Sequence, residues 1–279
     1  MTSPIKEVIK DRLYISDITG LATLKQNPGI FTHILTLTSE KPTEIPESIS
    51  QIGFHKFIQI DDVDEERILD KFPEIIEFYK TSKCLLVHCQ QGASRSVAAI
   101  SCILMEKQEI TQQNCFDHLN SIGIETDKMI EGFVNQLKLF EKLNFTVNKS
   151  NPEYRLWRFN LLNVGYNSGA LVVNDVLWSS VNDKTASNMI YRCSKCRHRL
   201  FKKSHILMGD FHHYFLQPLE WMKDVIIDCG QTGKLHCPKC SQKLGHFSWI
   251  GEHQKGVDGE WLAPVFNVSV KKVDKINIA

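Results

Sequence analysis

Hydrophobic and polar residues follow two different periods in the first half of the chain. Four short apolar runs predict β-strands, and they cover residues 12–16, 30–39, 54–60 and 83–89. The last run, "KCLLVHC", is apolar on both faces, which is typical of a central strand in a covered sheet. Apolar residues at helical spacing predict four helices, at 69–82, 95–107, 111–119 and 129–143. Strands that alternate with helices predict an α/β fold with a central sheet flanked by helices.

The pattern weakens in the second half of the chain. The stretch "NFTVNKSNP" (144–152) loses periodicity and is typical of a linker, and no clear pattern follows until about residue 190. Two similar segments come next, "CSKCRHRL" and "CPKCSQKL", which begin at residues 193 and 237. We therefore predict an α/β domain at 1–147, a linker or extension at 148–189 and a small domain at 190–279.

Composition excludes several classes of protein. The net charge is +1, 23% of the residues are charged and 42% are hydrophobic, so the chain is neither a disordered acidic segment nor a globally basic nucleic-acid binder. The first residues lack the apolar core of a secretory signal, and no stretch reaches the roughly 18 apolar residues of a membrane span. We expect a soluble intracellular protein with no membrane partner. The nine cysteines are then expected to serve catalysis or metal binding, because the cytosol keeps thiols reduced.

One stretch of the first half combines a cysteine, a glycine and an arginine in a short turn. The sequence "HCQQGASRS" (88–96) lies between a predicted strand and a predicted helix. Its backbone N–H groups and the positive end of the helix dipole therefore face one point, where they can bind a phosphate. Gly92 lets the turn approach the ligand, and Arg95 can hold two phosphate oxygens with its planar guanidinium. The predicted phosphate-binding residues are Gln90, Gln91, Gly92, Ala93, Ser94 and Arg95.

The same loop supplies a nucleophile. Cys89 lies at the base of the turn, where the positive field favours the reactive thiolate. Ser96 can donate a hydrogen bond to the sulfur when it leaves. This arrangement predicts transfer of a phosphoryl group to cysteine, followed by hydrolysis. The alternative, a buried and inert cysteine, suits Cys84, Cys102 and Cys115 better.

The reaction also needs an acid that protonates the leaving oxygen. The segment "IQIDDVDEER" (58–67) follows a predicted strand and offers Asp61, Asp62 and Asp64. Chemistry alone does not choose among the three, and a solvated acidic helix start is the alternative for each of them.

Two C-x-x-C pairs in the second half predict a metal site. The pairs offer four thiolates, from Cys193, Cys196, Cys237 and Cys240. Four thiolates can surround one zinc ion tetrahedrally, and a closed site of this kind stabilises a small domain and has no catalytic role. We therefore predict one structural Zn²⁺, with Leu200 and Leu244 packed beneath it. Four unliganded thiols are the alternative. Further candidate ligands are Cys229, His198, His205, His212, His213, His236, His246 and His253.

The first half resembles the cysteine-dependent protein phosphatases of the dual-specificity group. The likeness rests on "HCQQGASRS", "RLYISD", "HILTLTSE" and "KMIEGFVNQLKLFE", and it covers residues 5–145. It implies a cysteine-phosphatase-type central sheet and the activity of a protein-tyrosine or dual-specificity phosphatase. In that family Cys89 would be the nucleophile, Arg95 the phosphate clamp and Ser96 an assisting donor, with no cofactor for catalysis.

The resemblance also selects the acid and the substrate class. In the family register the acid comes ten residues before the "FP" that begins at Phe72 here, which assigns Asp62 as acid and then base. Phosphorylated proteins are the implied substrates. Few residues precede Asp62, which leaves little chain for a deep phosphotyrosine pocket, so we expect phosphotyrosine, phosphoserine and phosphothreonine all to be accepted. A phosphatase acting on RNA ends or lipids is an alternative, because the loop binds phosphate and not what carries it.

The second half narrows the resemblance. The segments "YRCSKCRHRLF", "YFLQPLEWM" and "LHCPKCSQKLGHFSWIGE" resemble the zinc-binding tail of the dual-specificity phosphatase twelve family, which has a yeast member. Tails of this family usually have more cysteines, and one such position is Phe211 here. The family implies a second role in late assembly of the large ribosomal subunit, with pre-ribosomal particles or rRNA as partners and a cytoplasmic and nuclear location.

Basic residues around the first C-x-x-C pair agree with a partner that carries phosphates. They are Arg192, Lys195, Arg197, Arg199, Lys202 and Lys203. The alternative is that they offset the negative charge of a zinc tetrathiolate. A ribosome-assembly or RNA-associated factor with dispensable catalysis is the competing function. A separate hypothesis concerns redox chemistry. An oxidised Cys89 would form a protective disulfide with Cys84, five residues earlier.

Overall fold

The computed structural model describes residues 5–24, 30–41, 54–167, 178–182, 188–228, 230–253 and 261–277. The chain divides into two units, Met1–Asn148 and Lys149–Ala279. Within the described ranges, no helix is long and apolar enough to cross a membrane.

The first unit is built on a five-stranded sheet. Its strands are β1 (Ile5–Ile9), β2 (Leu13–Ser16), β3 (His33–Thr38), β4 (Phe54–Gln59) and β5 (Leu85–His88). Their order is β1-β2-β5-β3-β4, with β1 antiparallel to β2 and the other four strands parallel. Every residue of the central β5 is buried, which confirms the prediction of a covered central strand.

The described residues of this unit form five helices. They are α1 (Ile18–Leu24), α2 (Phe72–Thr81), α3 (Arg95–Gln108), α4 (Gln112–Ser121) and α5 (Glu131–Lys142). The last four confirm the predicted helices. α2 starts later than predicted because a 3₁₀ turn, Ile68–Lys71, comes first and Pro73 occupies its opening turn. α3 contacts α2, α4, α5 and the sheet, so its apolar residues complete the core.

The parallel strands bring four connections to one edge of the sheet. Parallel strands end at the same edge, and ligands of such sheets bind there. The connections begin after Ser16 of β2, Thr38 of β3, Gln59 of β4 and His88 of β5. The predicted phosphate loop follows β5, the central strand, so the other three connections surround it.

The second unit consists mainly of antiparallel sheets. Its strands are β6 (Met189–Cys193), β7 (Arg199–Lys202), β8 (Ile206–Gly209), β9 (His213–Leu216), β10 (Thr232–His236), β11 (Lys243–Ser248), β12 (Glu252–His253), β13 (Trp261–Leu262), β14 (Val265–Ser269) and β15 (Val273–Asn277). They form sheets in the orders β10-β11-β14-β9-β8, β15-β6-β7 and β12-β13. Two helices, α6 (Pro152–Asn167) and α7 (Lys223–Asp228), belong to the same unit.

A core of aromatic and aliphatic side chains fills the second unit. Phe201, Phe247 and Phe266 are fully buried, and Phe159 of α6 packs with them. The segment that the sequence assigns to a linker or extension therefore contains a helix that contributes to this core. The strands of the unit are short and interrupted by turns, so no long apolar segment marks this core in the sequence.

Candidate active site and metal site

Cys89 lies at the base of the loop that follows β5. Its side chain is 1% exposed. The Sγ atom lies 3.1 Å from Ser96 Oγ, and it accepts a hydrogen bond from the backbone N–H of Gly92 at 3.2 Å. The Gly92 N–H therefore points at the sulfur, and the Ser96 hydroxyl lies within hydrogen-bond distance of it.

The loop is tied to the neighbouring connection after β2. Gly92 has a φ of +69°, and a Cβ there would lie 3.0 Å from the backbone nitrogen of Asp17. The N–H of Ile18 donates to the Gln90 carbonyl at 3.2 Å. Gln90 and Gln91 expose their side chains, and Gly92 and Ala93 are half-buried. Beside them lies a cavity of about 370 Å³, which is also lined by Ile15, Asp17 and Ile124.

Arg95 is the first residue of α3 and is 7% exposed. One terminal nitrogen donates to the Ile60 carbonyl at 3.1 Å and approaches Ser39 Oγ at 3.5 Å. Connections from β3 and β4 therefore hold the guanidinium. Its Nε atom is buried and has no hydrogen-bond partner among the described residues.

Of the three candidate aspartates, Asp62 is the one that the structure places beside the phosphate loop. Asp62 Oδ1 accepts a hydrogen bond from Ser94 Oγ at 2.6 Å, and its Oδ2 lies 3.8 Å from Arg95 Nε. Asp64 instead accepts from the backbone N–H of Gly132 at 2.7 Å. Asp61 is exposed. The three candidates that chemistry left open thus occupy different positions.

Residues that the sequence analysis missed hold the acidic segment in place. A Cβ on Gly132 would lie 2.2 Å from the Asp64 carbonyl oxygen, so only glycine permits this close approach. Gln136 donates to the Glu66 carbonyl at 2.7 Å and accepts from the N–H of Leu69 at 3.0 Å. The "GF" pair at 132–133 belongs to a segment that resembles the family, but the local sequence does not show why a glycine is needed there.

A buried chain of hydrogen bonds lies behind the nucleophile. His88 Nε2 is 2.6 Å from Thr36 Oγ1, which is 2.7 Å from His55 Nε2. A hydroxyl has a single hydrogen to donate, so at least one of the two imidazoles donates its own Nε2–H to Thr36. Burial lowers the pKa of His88 to about 4, and it also lowers the pKa of His55. Both rings are therefore neutral at pH 7.

The hypothesis of a disulfide between Cys84 and Cys89 is wrong for this fold. The two residues flank β5 (Leu85–His88) at opposite ends. Five steps of extended chain separate their Cα atoms by roughly 16 Å, whereas a disulfide needs less than about 7 Å. Cys84 packs with Leu24, Phe31 and Leu86, and burial raises the pKa of its thiol.

The second unit brings the four predicted metal ligands together. The Sγ atoms of Cys193, Cys196, Cys237 and Cys240 all lie within 4.8 Å of one another. The separation is 3.7 Å between Cys193 and Cys240 and 3.5 Å between Cys196 and Cys237. A tetrahedral zinc with Zn–S bonds of about 2.3 Å needs S···S distances of about 3.8 Å. The four thiols therefore fit a metal ion of this kind.

The two cysteine pairs are built alike. In each pair the first cysteine donates its N–H to the carbonyl five residues later, from Cys193 to His198 at 2.8 Å and from Cys237 to Gln242 at 2.9 Å. The residue after each second cysteine has a positive φ, 64° at Arg197 and 56° at Ser241. The matching geometry explains the repeat seen in the sequence.

Leu200 and Leu244, the equivalent leucines of the repeat, are both buried in the core that includes Cys193 and Cys237, as predicted. Burial raises the pKa of the Cys237 thiol to about 12. A metal ion that coordinates this sulfur must therefore displace its proton.

Histidines do not assemble a second metal site in the described part of the chain. There, the four cysteines are the only group of three or more cysteine, histidine or carboxylate side chains close enough to hold one ion. Cys229 and the side chain of His253 lie outside the described residues. His246 Nε2 instead lies 2.7 Å from Glu252 Oε2.

Cys89, Arg95 and Asp62 lie together at the carboxyl edge of a parallel sheet. This arrangement is that of a cysteine-dependent phosphatase. Residues 13–143 match the family profile described as "Dual specificity phosphatase, catalytic domain". This part of the chain is therefore a dual-specificity phosphatase catalytic domain.

Related proteins align with most of the chain. The rat protein named Dual specificity protein phosphatase 12 is 29% identical over 304 residues, which cover 96% of this chain and 88% of the rat protein. The Schizosaccharomyces pombe protein named Tyrosine-protein phosphatase yvh1 is 25% identical over 288 residues, or 96% of this chain and 84% of that protein. The phosphatase domain of Yvh1 from Chaetomium thermophilum matches 52% of this chain and 99% of its own chain, with 22% identity and a TM-score of 0.43.

Proposed function

We propose that the first unit hydrolyses phosphotyrosine, phosphoserine and phosphothreonine in proteins through a cysteinyl-phosphate intermediate. The observation that carries this proposal is the buried Nε–H of Arg95, which donates no hydrogen bond among the described residues and has Asp62 Oδ2 only at 3.8 Å. A buried guanidinium nitrogen without a hydrogen-bond partner among the described residues is costly. A phosphate oxygen in the loop would supply the missing acceptor, and a guanidinium binds two such oxygens side by side.

The first step transfers the phosphoryl group. The Cys89 thiolate attacks phosphorus, so an S–P bond forms while the bond between phosphorus and the substrate oxygen breaks. Asp62, in its protonated form, donates a proton to the leaving oxygen. Backbone N–H groups of the loop and Arg95 bind the equatorial oxygens, where negative charge is concentrated.

The second step returns the enzyme to its starting state. The Asp62 carboxylate takes a proton from water, and the resulting oxygen nucleophile attacks phosphorus as the S–P bond breaks. The sulfur leaves as a thiolate, which accepts a hydrogen bond from Ser96, 3.1 Å away in the structure. Inorganic phosphate is released and Asp62 is protonated again.

Phosphopeptides test this proposal against its alternatives. We expect purified protein to release phosphate from peptides with phosphotyrosine and with phosphothreonine, and Arg95→Lys to abolish release because an ammonium cannot make the paired contact. RNA with a 5′-phosphate and vesicles containing a phosphoinositide are the comparison substrates. If either is hydrolysed at least tenfold faster than both peptides, the protein-phosphatase proposal is wrong.

The second unit supports a different role. We propose that it binds one structural zinc ion through the four cysteines and associates with precursors of the large ribosomal subunit. The support is the matching geometry of the two cysteine pairs and the exposed basic residues Lys195, Arg199 and Lys203. Co-sedimentation of the full chain with large-subunit precursors tests the association. We expect Cys193→Ser to abolish it, and absence of the wild-type chain from these particles would contradict the proposal.

Catalysis and particle association can be separated genetically. In cells that lack the protein, we expect Cys89→Ser to restore assembly of the large subunit if the second unit carries that role. Failure of this variant to restore assembly, at normal abundance, would show that catalysis is required.

A further inference from the structure

One aromatic side chain of the second unit stands in solvent. Phe211 is 96% exposed and lies at the tip of the hairpin formed by β8 and β9. The tip is an ordered turn, because Asp210 Oδ1 accepts the N–H groups of His212 at 2.6 Å and His213 at 2.5 Å. A single exposed apolar residue is ordinary on a protein surface, so the neighbours of Phe211 decide what the position means.

Two backbone hydrogen bonds place lysines beside this tip. The N–H of Val270 donates to the His212 carbonyl at 2.9 Å, and Lys271 and Lys272 follow directly. The N–H of Ser194 then donates to the Lys272 carbonyl at 3.0 Å. These two backbone hydrogen bonds therefore link the Phe211 tip, through residues 270–272, to the first cysteine pair.

The lysines along this path are open to solvent. Lys195, Lys271 and Lys272 are exposed, and within the described ranges none of them forms an ion pair. The nearby carboxylates are occupied, since Asp210 accepts the turn hydrogen bonds and Asp274 pairs with Arg197. The surface therefore combines an exposed aromatic ring on an ordered turn with a row of exposed lysines.

We infer that Phe211, Lys271, Lys272 and Lys195 form a binding surface for single-stranded nucleic acid. Bases stack on exposed aromatic rings while lysines contact successive phosphates, and this combination binds single strands without sequence preference. The inference names a surface for the particle association proposed above and rests on it. If the lysines only offset the negative charge of a zinc tetrathiolate, the exposed Phe211 ring would have no role in binding.

The ring is tested by binding of a labelled 12-nucleotide oligouridine to the full-length, zinc-loaded protein. We expect Phe211→Ala to weaken binding at least fivefold, as loss of one stacked base does, and Phe211→Trp to retain it. Neither change alters the charge. Ile227→Ala is the matched control, because Ile227 is also an exposed apolar residue of the second unit, at 48%, and should bind like the wild type. Equal affinity of Phe211→Ala and wild type would overturn the inference, and so would no binding by the wild type.

The lysines are tested by the salt dependence of binding. Two phosphate contacts contribute a slope of about −1.4 to the logarithm of the binding constant against the logarithm of salt concentration. The double change Lys271→Ala and Lys272→Ala should remove about this much. Lys234→Ala is the control, since Lys234 lies on β10, at the opposite edge of the sheet from β8. An unchanged slope in the double variant would contradict the inference.

Further arms identify the ligand. A DNA oligonucleotide of matching sequence distinguishes the two kinds of nucleic acid. Tighter binding of the RNA would identify RNA as the ligand, and equal or tighter binding of the DNA would identify DNA. Polyglutamate that competes as well as oligouridine would show a surface for acidic protein and overturn the inference.

Particle co-sedimentation distinguishes the binding surface from the particle association on which it rests. If wild type and Phe211→Ala co-sediment equally, the surface is wrong and the association stands, whereas absence of the wild type from particles removes the association itself.

Discussion

At the scale of single residues, the proposed chemistry depends on which aspartate faces the loop. Asp62 contacts Ser94 and approaches Arg95, whereas among the described residues Asp61 makes neither contact and its N–H donates to Glu66 Oε2. We expect Asp62→Asn to slow hydrolysis of alkyl phosphates by roughly 10²–10⁴ and of aryl phosphates with good leaving groups far less, because only poor leaving groups need the proton. Asp61→Asn is the matched control, and kcat for both substrate types is the measurement. The reverse pattern would move the acid to Asp61.

His88 gives a prediction about pH. Burial lowers its pKa to about 4 from the ordinary value of 6.5. Between these values the unfolded chain binds a proton that the folded chain does not, so the free energy of unfolding falls as pH drops from 6.5 towards 4. The full loss from this residue is about 3 kcal/mol. Imidazole proton NMR should show no titration of His88 above pH 5, with His88→Gln identifying the signal. A midpoint near 6.5 would contradict the burial argument.

Much of the loop chemistry could be predicted from the residues themselves. The nucleophile Cys89, the arginine Arg95 and the donor Ser96 follow from the chemistry that each side chain can perform at the end of a strand, and the structure brings them together. The choice of Asp62 needed the family register, because three carboxylates in one exposed segment are chemically equivalent until the chain folds. Contacts between distant segments, such as Asp64 with Gly132, leave no local pattern.

At the scale of elements, α5 positions the segment that carries the acid. Any Cβ at Gly132 would collide with the Asp64 carbonyl, 2.2 Å away. We therefore expect Gly132→Ala to displace this segment, to lower the melting temperature and to reduce turnover of alkyl phosphates more than that of aryl phosphates. Glu131→Ala, at the neighbouring exposed position, should change neither the melting temperature nor the turnover of the two substrates. Equal losses on both substrates would show that the glycine supports only the fold.

Elements of the first unit were predicted well because their periods are strong. The four runs on the parallel strands and the four amphipathic helices all occur, and α2 differs mainly at its start. β1 and α1 were missed, since β1 is an edge strand with exposed positions and α1 is only seven residues long. The short strands of the second unit gave no clear pattern, and their pairing depends on turns and on the two cysteine pairs.

At the scale of the whole molecule, two units with different cores should respond separately to loss of metal. All five tryptophans lie after residue 148, in the second unit, so tryptophan emission reports on that unit alone. We expect a strong chelator to lower the thermal midpoint seen by tryptophan, because the zinc site contributes folding free energy. Hydrolysis of a small aryl phosphate should persist, since the first unit has its own core. Loss of that hydrolysis, or an unchanged midpoint after confirmed metal removal, would contradict this independence.

Metal analysis sets the stoichiometry. We expect one zinc per chain, held by four thiolates, and we expect Cys240→Ser to release it because a hydroxyl is a poor zinc ligand. Cys102→Ser is the control, since Cys102 is a buried cysteine of the first unit. Two zinc ions per chain would mean that residues outside the described ranges, such as Cys229, complete a second site.

The central claim is that Cys89 carries the phosphoryl group, and rapid quenching of a reaction with an aryl phosphate labelled in its phosphate tests it most directly. Asp62→Asn should slow hydrolysis of the intermediate as well as its formation, so an aryl phosphate with a good leaving group should leave phosphate bound to this variant. We expect peptide mapping to find one phosphate on Cys89. Cys89→Ser should give no turnover and no intermediate, whereas Cys84→Ser should give both. Phosphate on another residue, or turnover by Cys89→Ser above a few per cent of wild type, would contradict the account.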